Sequence, residues 1–232
     1  MISNIKDLCF QRWSGSSYSI APTVDFSTLT KLQNLNLAAF YAADFPLLPS
    51  SIQTLNMPGW YDCAFASDIS QAHINESKLK MLTSFSVGSP SDLSITDLCT
   101  ILDPNKGNLT SLDIDYFSGL GSTEILSLVD GGYLENIVDL RMMCLRVDDK
   151  VATILADRLH KLRSLDLGLT RITGVGVKSL VLKKGCKLER LGLNHCTHVG
   201  LDAVEWARAQ GVAVSFTFPE CAIGKSRRVQ AF

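Results

Sequence analysis

Four times between Leu109 and Leu193 the chain writes the same short phrase, an apolar-x-x-apolar-x-apolar frame: Leu109, Leu112, Ile114; Ile137, Leu140, Met142; Leu162, Leu165, Leu167; and Leu188, Leu191, Leu193. The returns come every 25 to 28 residues. Inside each frame the alternation has period two, so one set of side chains points to a core and the set between them points away, as on a strand. A unit of this length cannot bury its apolar side alone. It does so by stacking on copies of itself, which makes the chain a solenoid.

The frame extends backwards to Leu82, Phe85, Val87; Ile52, Leu55, Met57; Leu32, Leu35, Leu37; and Ile5, Leu8, Phe10, giving about eight units. Spacing and pattern lie in the leucine-rich-repeat range. The expected fold is therefore α/β: a leucine-rich-repeat horseshoe with a parallel concave β-sheet and helical or irregular convex returns, over residues 1–218, with 219–232 as a tail. Val212, Val214 and Phe216 predict one last short strand.

Between strands the chain must travel back. Asp149 to Lys161 carries Val151, Ile154, Leu155 and Leu159 at helical spacing, and Thr173 to Lys184 and Gly200 to Gln210 repeat that pattern, with Gly185 and Gly211 placed for left-handed helix ends. Earlier returns hold Pro46, Pro49, Pro58 and Trp60, which predicts irregular or short helical turns. The change of style falls near Pro90.

The eighth unit reads Leu188, Leu191, Leu193, Cys196, Val199, Gly200, Leu201 and Val204, and the seventh has Thr170, Ile172, Thr173, Gly174, Gly176 and Leu180 at matching places. Residues 137–218 thereby resemble the cysteine-containing and ribonuclease-inhibitor-like leucine-rich repeats of eukaryotic F-box proteins. The resemblance implies repeats that hold a substrate, while an F-box elsewhere in the chain docks on the adaptor of a cullin-type ubiquitin ligase. No F-box is readable from Ile5 onward, so the expectation is either part of a longer ligase subunit or a stand-alone scaffold. Trp13, Phe40, Trp60 and Phe117 take the ninth repeat position where that family uses Asn or Cys, predicting bulky apolar filling there.

Composition narrows the function. Lys and Arg number 22 against 23 Asp and Glu, a formal charge of -1, which lacks the basic footprint of a nucleic-acid binder. No stretch approaches the roughly 18 apolar residues of a membrane span, and the first twenty residues hold no secretory apolar core. Seven scattered cysteines suit reduced, packed thiols and a cytoplasmic or nuclear setting.

Chemistry has little support. His195, Cys196 and His198 with Cys186 hint at zinc, but neighbours on a repeat point to opposite sides, so no metal is expected. Gly224, Lys225 and Ser226 mimic the end of a phosphate loop, yet Pro219 stands where its first glycine belongs. No nucleophile or acid–base constellation appears. The expectation is a non-enzyme without cofactors.

What remains is the strand exterior. In units two to four it is small and uncharged: Asn34, Asn36, Thr54, Asn56, Ser84 and Ser86. In units five to eight it becomes Asp113, Asp115, Tyr116, Asp139, Arg141, Met143, Asp166, Arg190, Asn194 and His195, the mixture of a protein-recognition surface. Asp113, Asp139 and Asp166 are expected to stack along the face, which predicts a protein partner carrying a basic segment. The alternative is a structural scaffold subunit that uses its convex helices or edge strands.

Overall fold

The computed structural model describes residues 4–10, 25–37, 46–57, 79–88, 94–117, 119–183 and 187–217. Among them, nine strands form one parallel sheet in strict sequence order: β1 Asp7–Cys9, β2 Asn34–Asn36, β3 Thr54–Met57, β4 Ser84–Val87, β5 Ser111–Asp113, β6 Asp139–Arg141, β7 Ser164–Asp166, β8 Arg190–Gly192 and β9 Ala213–Ser215. Every pair is in the register the repeat frame demands, with Leu8, Leu35, Leu55, Phe85, Leu112, Leu140, Leu165, Leu191 and Val214 forming one apolar row. This is the leucine-rich-repeat solenoid. Each central strand residue is flanked by partly exposed neighbours, so only the convex side of the sheet is sealed by a second layer.

That layer is helical over more of the chain than expected. After β4 comes α1 (Ile95–Leu102), followed by a single 3-10 turn at Asp103–Asn105; α2 is Ser122–Asp130. Then follow the three anticipated helices, α3 Asp149–Arg158, α4 Gly174–Leu182 and α5 Leu201–Ala209. The two unforeseen helices are short, and the signal for α1 lies at its start: Ser94 accepts the Asp97 amide while Asp97 accepts the Ser94 amide, a reciprocal capping box. Helix α2 begins on a glycine, with Glu124 accepting the Gly121 amide. Gly211 does close α5 with φ of 88°, whereas Gly185 lies outside the described residues.

The core runs the length of the solenoid from Phe26 to Val214 and is almost wholly aliphatic. Phe117 fills the ninth position of its unit at 1% exposure, as the sequence suggests; Trp13, Phe40 and Trp60 lie outside the described residues. In the last units that position is polar. Thr170 donates to the Leu167 carbonyl at 2.7 Å, and the Cys196 thiol reaches back one repeat to the same carbonyl at 3.0 Å. Burial pushes the Cys196 thiol pKa up, which keeps it a donor. The thiols are not all packed: Cys196 is buried and Cys99 half-buried, but Cys9, at the end of β1, and Cys144, in the turn that follows β6, are exposed.

Candidate functional site on the concave face

Two rows of outward residues run across the charged half of the sheet. The first is Ser111, Asp139, Ser164, Arg190; the second is Asp113, Arg141, Asp166, Gly192. The register thus corrects the expected acidic stack. Asp139 belongs to the row before that of Asp113 and Asp166, and between those two stands Arg141. Charges alternate along the second row, which removes the repulsion that like carboxylates on adjacent strands would bring.

Arg141 organises the centre. Its guanidinium contacts Asp113 at 3.4 Å and Asp115 at 2.6 Å, and touches the Met143 sulfur at 3.6 Å. Burial works against its charge, but the hydrogen bond to Asp115 and the charges of Asp115, Asp113 and Asp166 carry its pKa upward. Asp115, expected to face a partner, is instead 6% exposed, and its second oxygen accepts the Met143 amide at 2.7 Å. It is a strut between β5 and β6. Asp113 stays half-buried, accepts the Asp115 amide at 3.1 Å and receives the Ser86 hydroxyl at 3.2 Å. Burial, then the neighbouring charge of Asp115, raises its pKa.

Asp139 and Arg190 meet at 2.9 Å although a whole strand lies between them, because Ser164 is small enough for the arginine to pass over, accepting from it at 3.3 Å. Asp166 differs. Among the described residues it makes no ion pair, and its carboxylate accepts the Gly168 amide at 3.0 Å. It leans over Gly192, where a Cβ would strike the carboxylate. The missing side chain opens a hollow of about 620 Å³ whose lining includes Leu165, Asp166, Arg190, Gly192, Arg208 and Ser215.

Beyond the strands, Tyr116, Cys144, Leu169 and His195 occupy the eighth position of successive units, all with φ of 59° to 61°. Each donates its amide to the next repeat: Tyr116 to Met143, Cys144 to Gly168, Leu169 to Asn194 and His195 to Thr217, at 2.8 to 3.1 Å. The left-handed turn aims these amides along the solenoid, and it sets the four side chains in a line at the rim. Leu169 is 42% exposed and His195 is exposed. The Asn194 side chain accepts from Thr217 at 3.3 Å beside it.

Of the ten residues singled out in the sequence, the structure gathers Asp113, Asp115, Arg141 and Met143 into one network and joins Asp139 to Arg190, while Asp166 stands apart with the Gly168 amide. Tyr116, Asn194 and His195 lie in the turns at the rim. Sequence reasoning missed Gly192 and Leu169. For Gly192 a signal existed, a glycine at a repeat position that carries Asp or Arg in the three preceding units. Leu169 had none, since left-handed turns favour Asn, Asp and Gly.

His195 is exposed while Cys196 is buried, and among the described residues no group of three His, Cys, Asp or Glu side chains could hold a metal ion. No described helix is long and apolar enough to cross a membrane.

No family model matches the chain, and no curated protein matches it. Among solved structures, a chain of the crystal structure of the Rad7 and Elc1 complex in yeast is similar, with 15% identity and a TM-score of 0.48. The match covers 86% of this chain and 57% of that one, so this chain spans little more than half the other's length.

Proposed function

We propose that the chain is a non-catalytic interaction module that holds a protein partner on the concave face of units five to eight. The observation that carries this reading is the fixed charge lattice there. Arg141 is pinned by Asp113 and Asp115, and Arg190 by Asp139, on a rigid sheet. Preorganised charges recognise a partner without the entropy cost of ordering long side chains at the moment of binding.

Asp113, Asp115 and Asp139 are already answered by arginines, and in the hollow Arg190 is held by Asp139 and Arg208 by the Val214 carbonyl, which leaves Asp166 as the carboxylate for the expected basic segment. A lysine or arginine of the partner would enter the hollow over Gly192 and meet Asp166, with Leu169 and His195 contacting flanking residues from the rim. The finer reading is substrate recognition in an F-box type ubiquitin-ligase subunit. Its support is the Thr170 and Cys196 repeat style, and an F-box in a longer form would supply the adaptor contact. A structural-subunit role is the second reading, favoured by apolar side chains exposed on the convex helices.

Affinity capture of the endogenous protein, followed by mass spectrometry, separates these. Co-purifying adaptor and cullin support the ligase reading; a different stoichiometric partner without them supports the scaffold. Placement of the site is tested on the isolated partner with Asp166→Asn and His195→Ala. Each should weaken binding about tenfold with unchanged thermal stability; unchanged affinity in both would put the site elsewhere.

A further inference from the structure

Two charges that line the hollow over Gly192 have no ionic partner among the described residues, and they are opposite in sign. One is Asp166: its carboxylate accepts the Gly168 amide, and Arg141 beside it in the row is held by Asp113 and Asp115. The other is Arg208 of α5, which donates to the Val214 carbonyl at 2.8 Å. On β9 the Ala213 amide donates to the Glu189 carbonyl and the Ser215 carbonyl accepts the Leu193 amide, both toward β8, so the Val214 carbonyl between them points outward. Arg208 therefore reaches round the last edge of the sheet from the convex side, and it occupies a group that an added strand would need. The contact takes one of the guanidinium's five donors and none of its charge.

The other charges around the hollow leave these two unanswered. Arg190 is paired with Asp139, and Glu189 with Arg163. Glu205 stands three positions before Arg208 on α5, but an exposed neighbour at that spacing holds an arginine weakly, and this arginine turns to Val214 instead. Nor do Asp166 and Arg208 answer each other. The carboxylate leans over Gly192 on β8, whereas the guanidinium lies outside β9. With strands about 4.8 Å apart, the two groups are roughly 10 Å apart. Gly192, Ala213 and Ser215 form the floor between them, all too small to bridge the gap.

We propose that the hollow selects a dipolar segment of a protein partner: an extended stretch in which a lysine or arginine meets Asp166 and an aspartate or glutamate two residues away meets Arg208. Side chains at i and i+2 of an extended chain point the same way from Cα atoms about 7 Å apart, and long charged side chains splay over the rest of the span. The segment crosses the strands of the sheet and does not join them, because Arg208 holds the edge. This inference rests on the concave-face reading and sharpens it, since a basic residue alone would leave the charge of Arg208 without a counterpart.

The test uses the full chain, labelled for amide NMR, and three short peptides with blocked ends whose central residues are Lys-Ser-Glu, Lys-Ser-Gln or Gln-Ser-Glu. The first should shift the amides of Gly192 and Ser215 and bind about fivefold tighter than either of the others. Its advantage over Lys-Ser-Gln should vanish in Arg208→Gln, which keeps an amide donor for the Val214 carbonyl, and its advantage over Gln-Ser-Glu should vanish in Asp166→Asn. The comparison of peptides on the unaltered chain stands even if Arg208→Gln folds poorly. Equal binding of Lys-Ser-Glu and Lys-Ser-Gln, both weakened by Asp166→Asn, would overturn the dipolar inference and leave the concave reading in place. Shifts at neither Gly192 nor Ser215 with any peptide would overturn it as well, and the concave reading is then decided separately by Asp166→Asn and His195→Ala on the isolated partner. A chain ending at Thr217 that binds Lys-Ser-Glu at least about tenfold tighter would also overturn it, by naming residues 218–232 as the occupant.

Discussion

The carboxylate of Asp149 caps a helix one repeat away from its own: Thr173 donates to it through its amide at 2.8 Å and its hydroxyl at 2.6 Å, and the Gly176 amide follows at 3.0 Å. An anionic group at that end of α4 also answers the helix dipole. Asp149 thus bolts two successive units together through polar contacts, where apolar stacking alone would leave helix amides unsatisfied.

Asp149→Ala should lower stability by about 2 kcal/mol, read as a drop in the urea midpoint, with Asp149→Asn falling between the two. A midpoint unchanged in the alanine variant would show that water replaces the carboxylate at no cost.

Gly176 is the counterpart of that contact. A Cβ there would strike Asp149 and approach Ile172 to 2.7 Å. Helix propensity favours alanine over glycine by about 1 kcal/mol, yet Gly176→Ala should destabilise, because a packed neighbourhood must shift to admit the methyl group. A stabilised Gly176→Ala would mean that Asp149 rotates away freely.

Asn105 is fully buried, with every side-chain hydrogen-bonding group used. It accepts the Leu82 amide at 2.9 Å and donates to the Leu79 and Ile101 carbonyls, both at 2.8 Å. Asn105→Ala leaves three buried groups without partners and should cost about 3 kcal/mol. Asn105→Asp should be worse, since a carboxylate cannot donate to two carbonyls. Thermal unfolding of both variants gives the order directly.

Leu169 pays for its left-handed backbone, about 1–2 kcal/mol for an L residue. Leu169→Gly removes that strain against about 0.5–1 kcal/mol of added chain entropy, so it should be neutral to slightly stabilising even though a rim contact is lost. Leu169→Val, branched at Cβ, should destabilise. If both variants lose equally, the leucine side chain matters more than its backbone.

Asp113 should make stability depend on pH in the less usual direction. Its folded pKa is raised, chiefly by burial and then by Asp115, so the folded state binds its proton more readily than the unfolded chain does. The charged form therefore costs stability at neutral pH, and that cost disappears as pH falls through the raised pKa. Asp113→Asn keeps an acceptor for the Asp115 amide and should melt higher than the parent at pH 7, with the gap closing on acidification. A lower melting point at pH 7 would show that the Arg141 contact outweighs burial.

The apolar frame determined by itself where the strands lie, which residues enter the core and in what register the units stack. A period-two alternation repeated at fixed intervals leaves one way to bury all its apolar positions, and Leu8 through Val214 accordingly form a single row. The frame could not decide what the outward residues do to one another. Asp113, Asp139 and Asp166 look alike in the sequence, yet one is tied to Arg141, one reaches over Ser164 to Arg190, and one leans over the space that Gly192 leaves. Those differences depend on row, reach and the size of the residue on the next strand. They arise between residues 26 to 51 positions apart, where only the assembled sheet brings them within a few ångströms. The Asp149 cap and the left-handed line from Tyr116 to His195 have the same origin: each satisfies a backbone amide whose partner belongs to another repeat.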